Sequence, residues 1–164
     1  MADLTHLEEK LAEVTGLAMA AEAAGGKISK LTEKQDASLV ATLQKMAEEA
    51  SETAKRCEGV AGNFEGKKTA ILDEARAVKK KATEMMSTYL DSDADALDGF
   101  EFLTMAEAAE VGHWSVLKTM NETARNEDVS QLVDWALPIQ ERHFQDVLQG
   151  SRKLAAEQDP NESA

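Results

Sequence analysis

The sequence predicts an all-α protein, an antiparallel four-helix bundle with an additional crossover helix between its two hairpins. Three observations carry that prediction. Apolar residues recur at alternating steps of three and four along most of the chain, the period of a helix that buries one stripe. The composition is dominated by Ala, Glu, Lys and Leu, holds only two prolines and shows no strand signals. The breaks between stripes are short, so consecutive helices of a pair are antiparallel neighbours.

The first helix opens at Thr5, which with Glu8 reads as a capping box, and keeps Leu4, Leu7, Leu11, Val14, Ala18, Ala21, Gly25 and Ile28 on one seam. Small residues line its second half, and Gly25-Gly26 is expected to loosen or kink its end. Thr32 with Gln35 is the capping candidate for the second helix, whose stripe is Leu39, Leu43, Met46, Ala50, Thr53, Cys57, Val60 and Phe64. Glu48, Glu52 and Glu58 fall off that stripe and read as a solvated surface. Gly59, Gly62 and Gly66 each cost about 1 kcal/mol against alanine inside a helix, which favours a break there over one long bent helix. A third helix then runs from Lys67 to Tyr89 on Ile71, Ala75, Val78, Ala82 and Met85. Asp91, Asp93, Asp95 and Asp98 make an acidic linker. They are not a calcium loop, because Ala96 and Phe102 stand where that loop needs glycine and a carboxylate. The fourth helix spans Gly99 to Arg125, and Asn126 or Asp128 caps the fifth. Within the fifth, Pro138 leaves the Asp134 carbonyl without its usual partner and predicts a bend. Residues 1–156 thus read as one helical domain and 157–164 as a disordered polar tail.

A formal net charge of −13, from 31 acidic against 18 basic residues, argues against nucleic acid and anionic membranes as partners and favours cations. No apolar run approaches the roughly 20 residues of a membrane span, and the polar start lacks the features of a signal peptide. A soluble, cytoplasmic location is the expectation. The single cysteine, Cys57, lies on a helix seam and reads as a small buried hydrophobe. His6, beside the first seam, is expected to face water.

Function concentrates between Phe102 and Leu154. The fourth helix aligns Leu103, Ala106, Glu110, His113, Leu117, Met120 and Ala124, and the fifth aligns Val129, Val133, Ala136, Gln140, His143, Val147 and Leu154. Glu110, His113, Gln140 and His143 therefore stand mid-seam on adjacent helices and are expected to converge. An unpaired buried carboxylate or imidazole costs several kcal/mol, so the four either hold a metal or satisfy one another. Residues three apart on a helix face the same way, so Glu110 and His113 can share one ion. Glu107, one turn earlier, and Glu141, beside Gln140, are further candidate ligands, and Gly112 is expected to leave room for close approach. Two imidazoles with one or two carboxylates suit iron, manganese or zinc, and an open position at iron permits oxygen chemistry. The competing reading is a closed hydrogen-bonded network that sets helix register without a ligand. Trp114, Trp135 and Phe144 read as packing.

The segments from Phe102 to Trp114 and from Leu137 to Phe144 carry a resemblance to the ferritin-like superfamily, specifically to small bacterial ferritin-like and rubrerythrin-like stress proteins. Di-metal members use a lone Glu from each of two helices and a Glu-x-x-His from each of the other two. Here Glu110 and His113 match one such pair, Gln140 and His143 match the other with an amide for the acid, Glu52 is followed by Lys55 instead of histidine, and the first helix offers only Glu22, off its seam. These departures leave a mononuclear site, a site completed by a second subunit, or a lost site. The resemblance implies a metal-binding protein with a partly degenerate centre and an oxidative-stress or iron-related role, as an iron-dependent oxidase or peroxide-handling enzyme if it is catalytic, and it leaves homodimers open. The alternative is a non-catalytic helical scaffold or interaction protein whose Glu/His/Gln cluster only packs.

Overall fold

Thr5 is an N-cap in fact as in pattern: its hydroxyl accepts the Glu8 amide and the Glu8 carboxylate accepts the Thr5 amide, closing the box that starts the first helix. The computed structural model describes residues 3–162, which form five helices and, among those residues, no strand. They are α1 (His6–Thr32), α2 (Ala37–Ala61), α3 (Lys68–Tyr89), α4 (Ala96–Ala124) and α5 (Glu127–Ala156).

The break between α2 and α3 falls in the glycine-rich stretch, where Gly66 takes a positive φ of 70° that other residues resist. Gly25 and Gly26 do not end α1, which runs on to Thr32. The expected cap at Thr32 is displaced accordingly: the N-cap of α2 is Asp36, whose carboxylate accepts the amides of Ser38 and Leu39. Likewise α4 begins at Ala96, three residues earlier than its apolar stripe indicated, because Asp95 and Asp98 form a second capping box. The α4–α5 connection is only Arg125 and Asn126. Asn121 holds it by exchanging two hydrogen bonds with the Asn126 backbone, at 2.9 and 3.0 Å. Pro138 lies on the exposed side of α5, which remains one helix through it. Of the polar tail, residues 157–162 are exposed and 163–164 lie outside the described residues.

Contacts between helix ends set the direction of each element. Lys67, at the start of α3, bonds the Asp3 carbonyl, and Asn63 bonds Asp128 at 2.9 Å, so the α2–α3 turn meets the beginnings of α1 and α5 at one pole. At the opposite pole Lys27 reaches the Leu90 carbonyl, Gly99 abuts Ile28, and Lys153 pairs with Asp36. The chain therefore crosses the bundle five times with alternating direction. Helices α1, α2, α5 and α4 pack around the core in that order, and α3 lies along the outer side of α1.

Two apolar clusters fill the interior. One, near the start of α1, gathers Leu11, Val14, Cys57, Ile71, Trp114 and Val133. The other, near its end, gathers Ile28, Leu43, Phe100, Leu103, Val147 and Leu154. Between them the buried positions of α4 and α5 are polar.

Candidate functional site

That middle layer is built on α4 and α5 by the same three-and-four spacing that makes the seams. Glu107 and Glu110 are 2% and 4% exposed on α4, and Gln140 and His143 are 6% and 3% exposed on α5. Its fifth member, Glu49, comes from α2.

His143 is the hub. Its Nε2 lies 2.7 Å from Glu49 Oε2, and its Nδ1 faces Glu107 Oε2 at 3.7 Å. Arg142 also bonds Glu49 Oε2, and the Gln140 amide donates to Glu107 Oε2. The network thus ties α2 to α5 and α5 to α4. The protonation pattern follows from the surroundings. Burial pushes the Glu49 carboxyl up, but hydrogen bonds from His143 and Arg142 and the Arg142 charge outweigh it and hold Glu49 below the usual carboxylate range. Burial lowers His143, favouring a neutral ring with Nε2–H donating to the Glu49 carboxylate. Burial, and then the neighbouring Glu110, raises Glu107 well above the ordinary range, against the Gln140 bond. A neutral Glu107 carboxyl facing a neutral imidazole leaves the layer with one anion, and Arg142 is beside it.

Glu110 differs from its neighbours. Burial alone pushes its carboxyl up to about 8, and it makes no side-chain hydrogen bond among the described residues.

Four of the expected site residues, Glu107, Glu110, Gln140 and His143, lie in this layer. The expected meeting of the two imidazoles is corrected. His113 sits at the α4–α1 edge with its side chain 39% exposed, and its Nδ1 lies 3.1 Å from Glu13 Oε2 and 3.3 Å from Lys10 Nζ. It serves α1, whereas His143 serves α2 and α4. The physical reason is helix rotation: α4 turns Glu107 and Glu110 inward, which swings His113 toward the boundary. Glu141 is on the exposed face of α5, Glu22 is exposed on α1, and Glu52 pairs at the surface with Arg56. Gly112 faces open space, so it permits no close approach.

Glu49 and Arg142 are the members that sequence reasoning passed over. Glu49 lies three residues after Met46 and four before Thr53, a second inward register of α2 that a single stripe hides. Arg142 adjoins His143 and bends back to the same carboxylate.

The donor set does not fit a metal ion as it stands. His143 presents both ring nitrogens to carboxylates on opposite sides, and Arg142 already supplies a positive charge to Glu49. Among the described residues no group of three or more His, Cys, Asp or Glu side chains is arranged to hold an ion. Cys57 is fully buried in the first apolar cluster, and burial pushes its thiol up to about 12. No helix is long and apolar enough to cross a membrane among the described residues. No family model matches the chain, and neither a curated protein nor a solved structure does.

Proposed function

We propose that this chain is a ferritin-like helical bundle whose central polar layer is a register-setting network, and that it works as a non-catalytic scaffold or interaction protein. The observation that carries this reading is the position of His143, buried between Glu49, which its Nε2 bonds at 2.7 Å, and Glu107, which its Nδ1 faces at 3.7 Å. A one-turn slip of α5 would leave the imidazole and the Gln140 amide buried without partners, at about 1–3 kcal/mol each, and would strip the half-buried Glu49 of His143. Apolar side chains alone would tolerate the slip better.

A second reading, a bound iron, manganese or zinc ion, is favoured by one observation: Glu49, Glu107 and His143 bring two carboxylates and an imidazole from three helices to one layer. Rotation of Arg142 and Gln140 away from the carboxylates would leave a donor set of the kind these metals take. Elemental analysis of untagged protein from cells supplied with iron, manganese and zinc separates the two. The scaffold reading expects no more than trace metal, and near-stoichiometric metal lost on His143→Ala overturns it.

The network reading has its own test. Joint replacement Glu49→Met, Glu107→Leu, Gln140→Leu and His143→Leu should give a folded chain of equal or higher stability, because a satisfied buried polar network is often exchangeable for apolar packing. The same chain should lose uniqueness of packing, seen as broadened methyl resonances. Sharp, native-like spectra from the apolar variant would show that the network sets no register.

A further inference from the structure

Between α1, α3 and α4 lies a cavity of about 170 Å³, bordered by one member of the polar network, Glu107. Its α1 wall is Leu17, Ala20, Ala21 and Ala24, and its α3 wall is Ala82, Thr83, Met85 and Met86. The small side chains of α1 hollow it out, while Gly16, one turn before Ala20, brings α3 tight against α1. The α4 wall is apolar at Phe102, Leu103 and Ala106 and then presents Glu107 and Glu110, with His113 at the rim. Glu107 is bonded to Gln140. Glu110 is 96% buried by its 4% exposure and has no hydrogen-bond partner among the described residues.

An unpartnered acid at the end of an apolar cavity selects for a ligand with a matching head and a hydrocarbon body. Volume sets the body: a dry cavity of about 150 Å³ accommodates benzene, so this one takes about six to eight carbons. Charge sets the head. Two acid side chains and no Lys or Arg line the cavity, so once Glu110 ionises it repels carboxylates and favours a cation. We propose that this cavity binds a primary amine with a short hydrocarbon tail, its ammonium on the Glu110 carboxylate and its tail against α1 and α3.

The groups facing Glu110 are Glu107 and His113 on its own helix, Lys10 and Glu13 beyond His113 on α1, and Cys57 on α2, while the α3 wall holds no titratable side chain. Since burial pushes Glu110 up to about 8, the empty cavity at pH 6 holds a neutral acid. Amine binding then releases that proton to solvent, and affinity rises as pH rises through 8 until the amine itself loses its charge near 10. The proposal rests on Glu110, which makes no hydrogen bond in the network, while Glu107 borders both.

Isothermal titration of the full chain with hexylamine at pH 6 and pH 9, with hexan-1-ol and hexanoate as comparators, tests it. Expected are saturable one-to-one binding of hexylamine, at least tenfold tighter at pH 9, and at least a tenfold loss at pH 9 in Glu110→Gln. Ala82→Phe, which fills the cavity, should abolish binding while circular dichroism shows the helices intact. No saturable hexylamine binding, hexanol binding as tightly as hexylamine, or unchanged affinity in Glu110→Gln overturns the proposal. So does binding retained by folded Ala82→Phe. If that variant fails to fold, Glu110→Gln, which keeps the side-chain volume, decides alone.

Discussion

Glu110 and His143 are buried at the same depth and respond to pH in opposite senses. Glu110 has its folded value raised from 4.5 to about 8, so the folded state binds more protons than the unfolded state across that window. The favourable condition is present below 4.5 and is lost as pH rises toward 8, where an ionised buried carboxyl weakens the fold by a few kcal/mol. Glu110→Gln should therefore be more stable than the native chain at pH 8 and nearly equal to it at pH 5, measured by urea unfolding at both. His143 and Glu49 have lowered values. Their contribution is present above the ordinary imidazole and carboxylate ranges and fades as pH falls through the folded values. Replacing His143 by Ala leaves Glu49 with Arg142 alone and opens a void, and should cost about 2–3 kcal/mol at pH 7 by the same measurement. That this ring belongs to the interior was legible from its seam position. Its partner was not, because period places a side chain on a face and does not say which carboxylate of a neighbouring helix will reach it.

The helices and their packing follow the sequence closely where spacing and capping agree. The α1 box at Thr5, the glycine-rich break before α3 and the Asn126 cap are all decided within a few residues of chain. The starts of α2 and α4 were less visible, because Asp36 and Asp95 stand among other polar residues and only the folded backbone shows which carboxylate turns back on an amide. Close approaches are invisible for a similar reason. Gly16 lets the α3 backbone come down on α1, and a methyl group there would collide with the Ala75 carbonyl and the Val78 side chain. Gly16→Ala should lose about 1–3 kcal/mol through the forced separation, and hydrogen exchange should show the α3 amides losing protection before those of the other helices. Trp114, fully buried in the first apolar cluster, makes the complementary case. Trp114→Ala should cost about 3–5 kcal/mol in chemical denaturation, even though its buried indole N–H has no hydrogen-bond partner among the described residues.

Charge governs the molecule as a whole. At −13 the surface repels itself, and its ion pairs, such as Arg56–Glu52 and Arg76–Asp73, are exposed and weak. Salt screens long-range repulsion, with a Debye length near 10 Å at 0.1 M and about 3 Å at 1 M. The melting temperature should accordingly rise between 0.02 and 0.5 M sodium chloride at pH 7, and a fall would mean that attractive pairs outweigh the net repulsion. The five alternating crossings have a geometric outcome as well. An odd number of passes puts the start of α1 and the end of α5 at opposite poles, and a final helix of 30 residues at 1.5 Å per residue sets them about 45 Å apart. A group attached just before α1 would therefore sit about a bundle length from one attached at the end of α5.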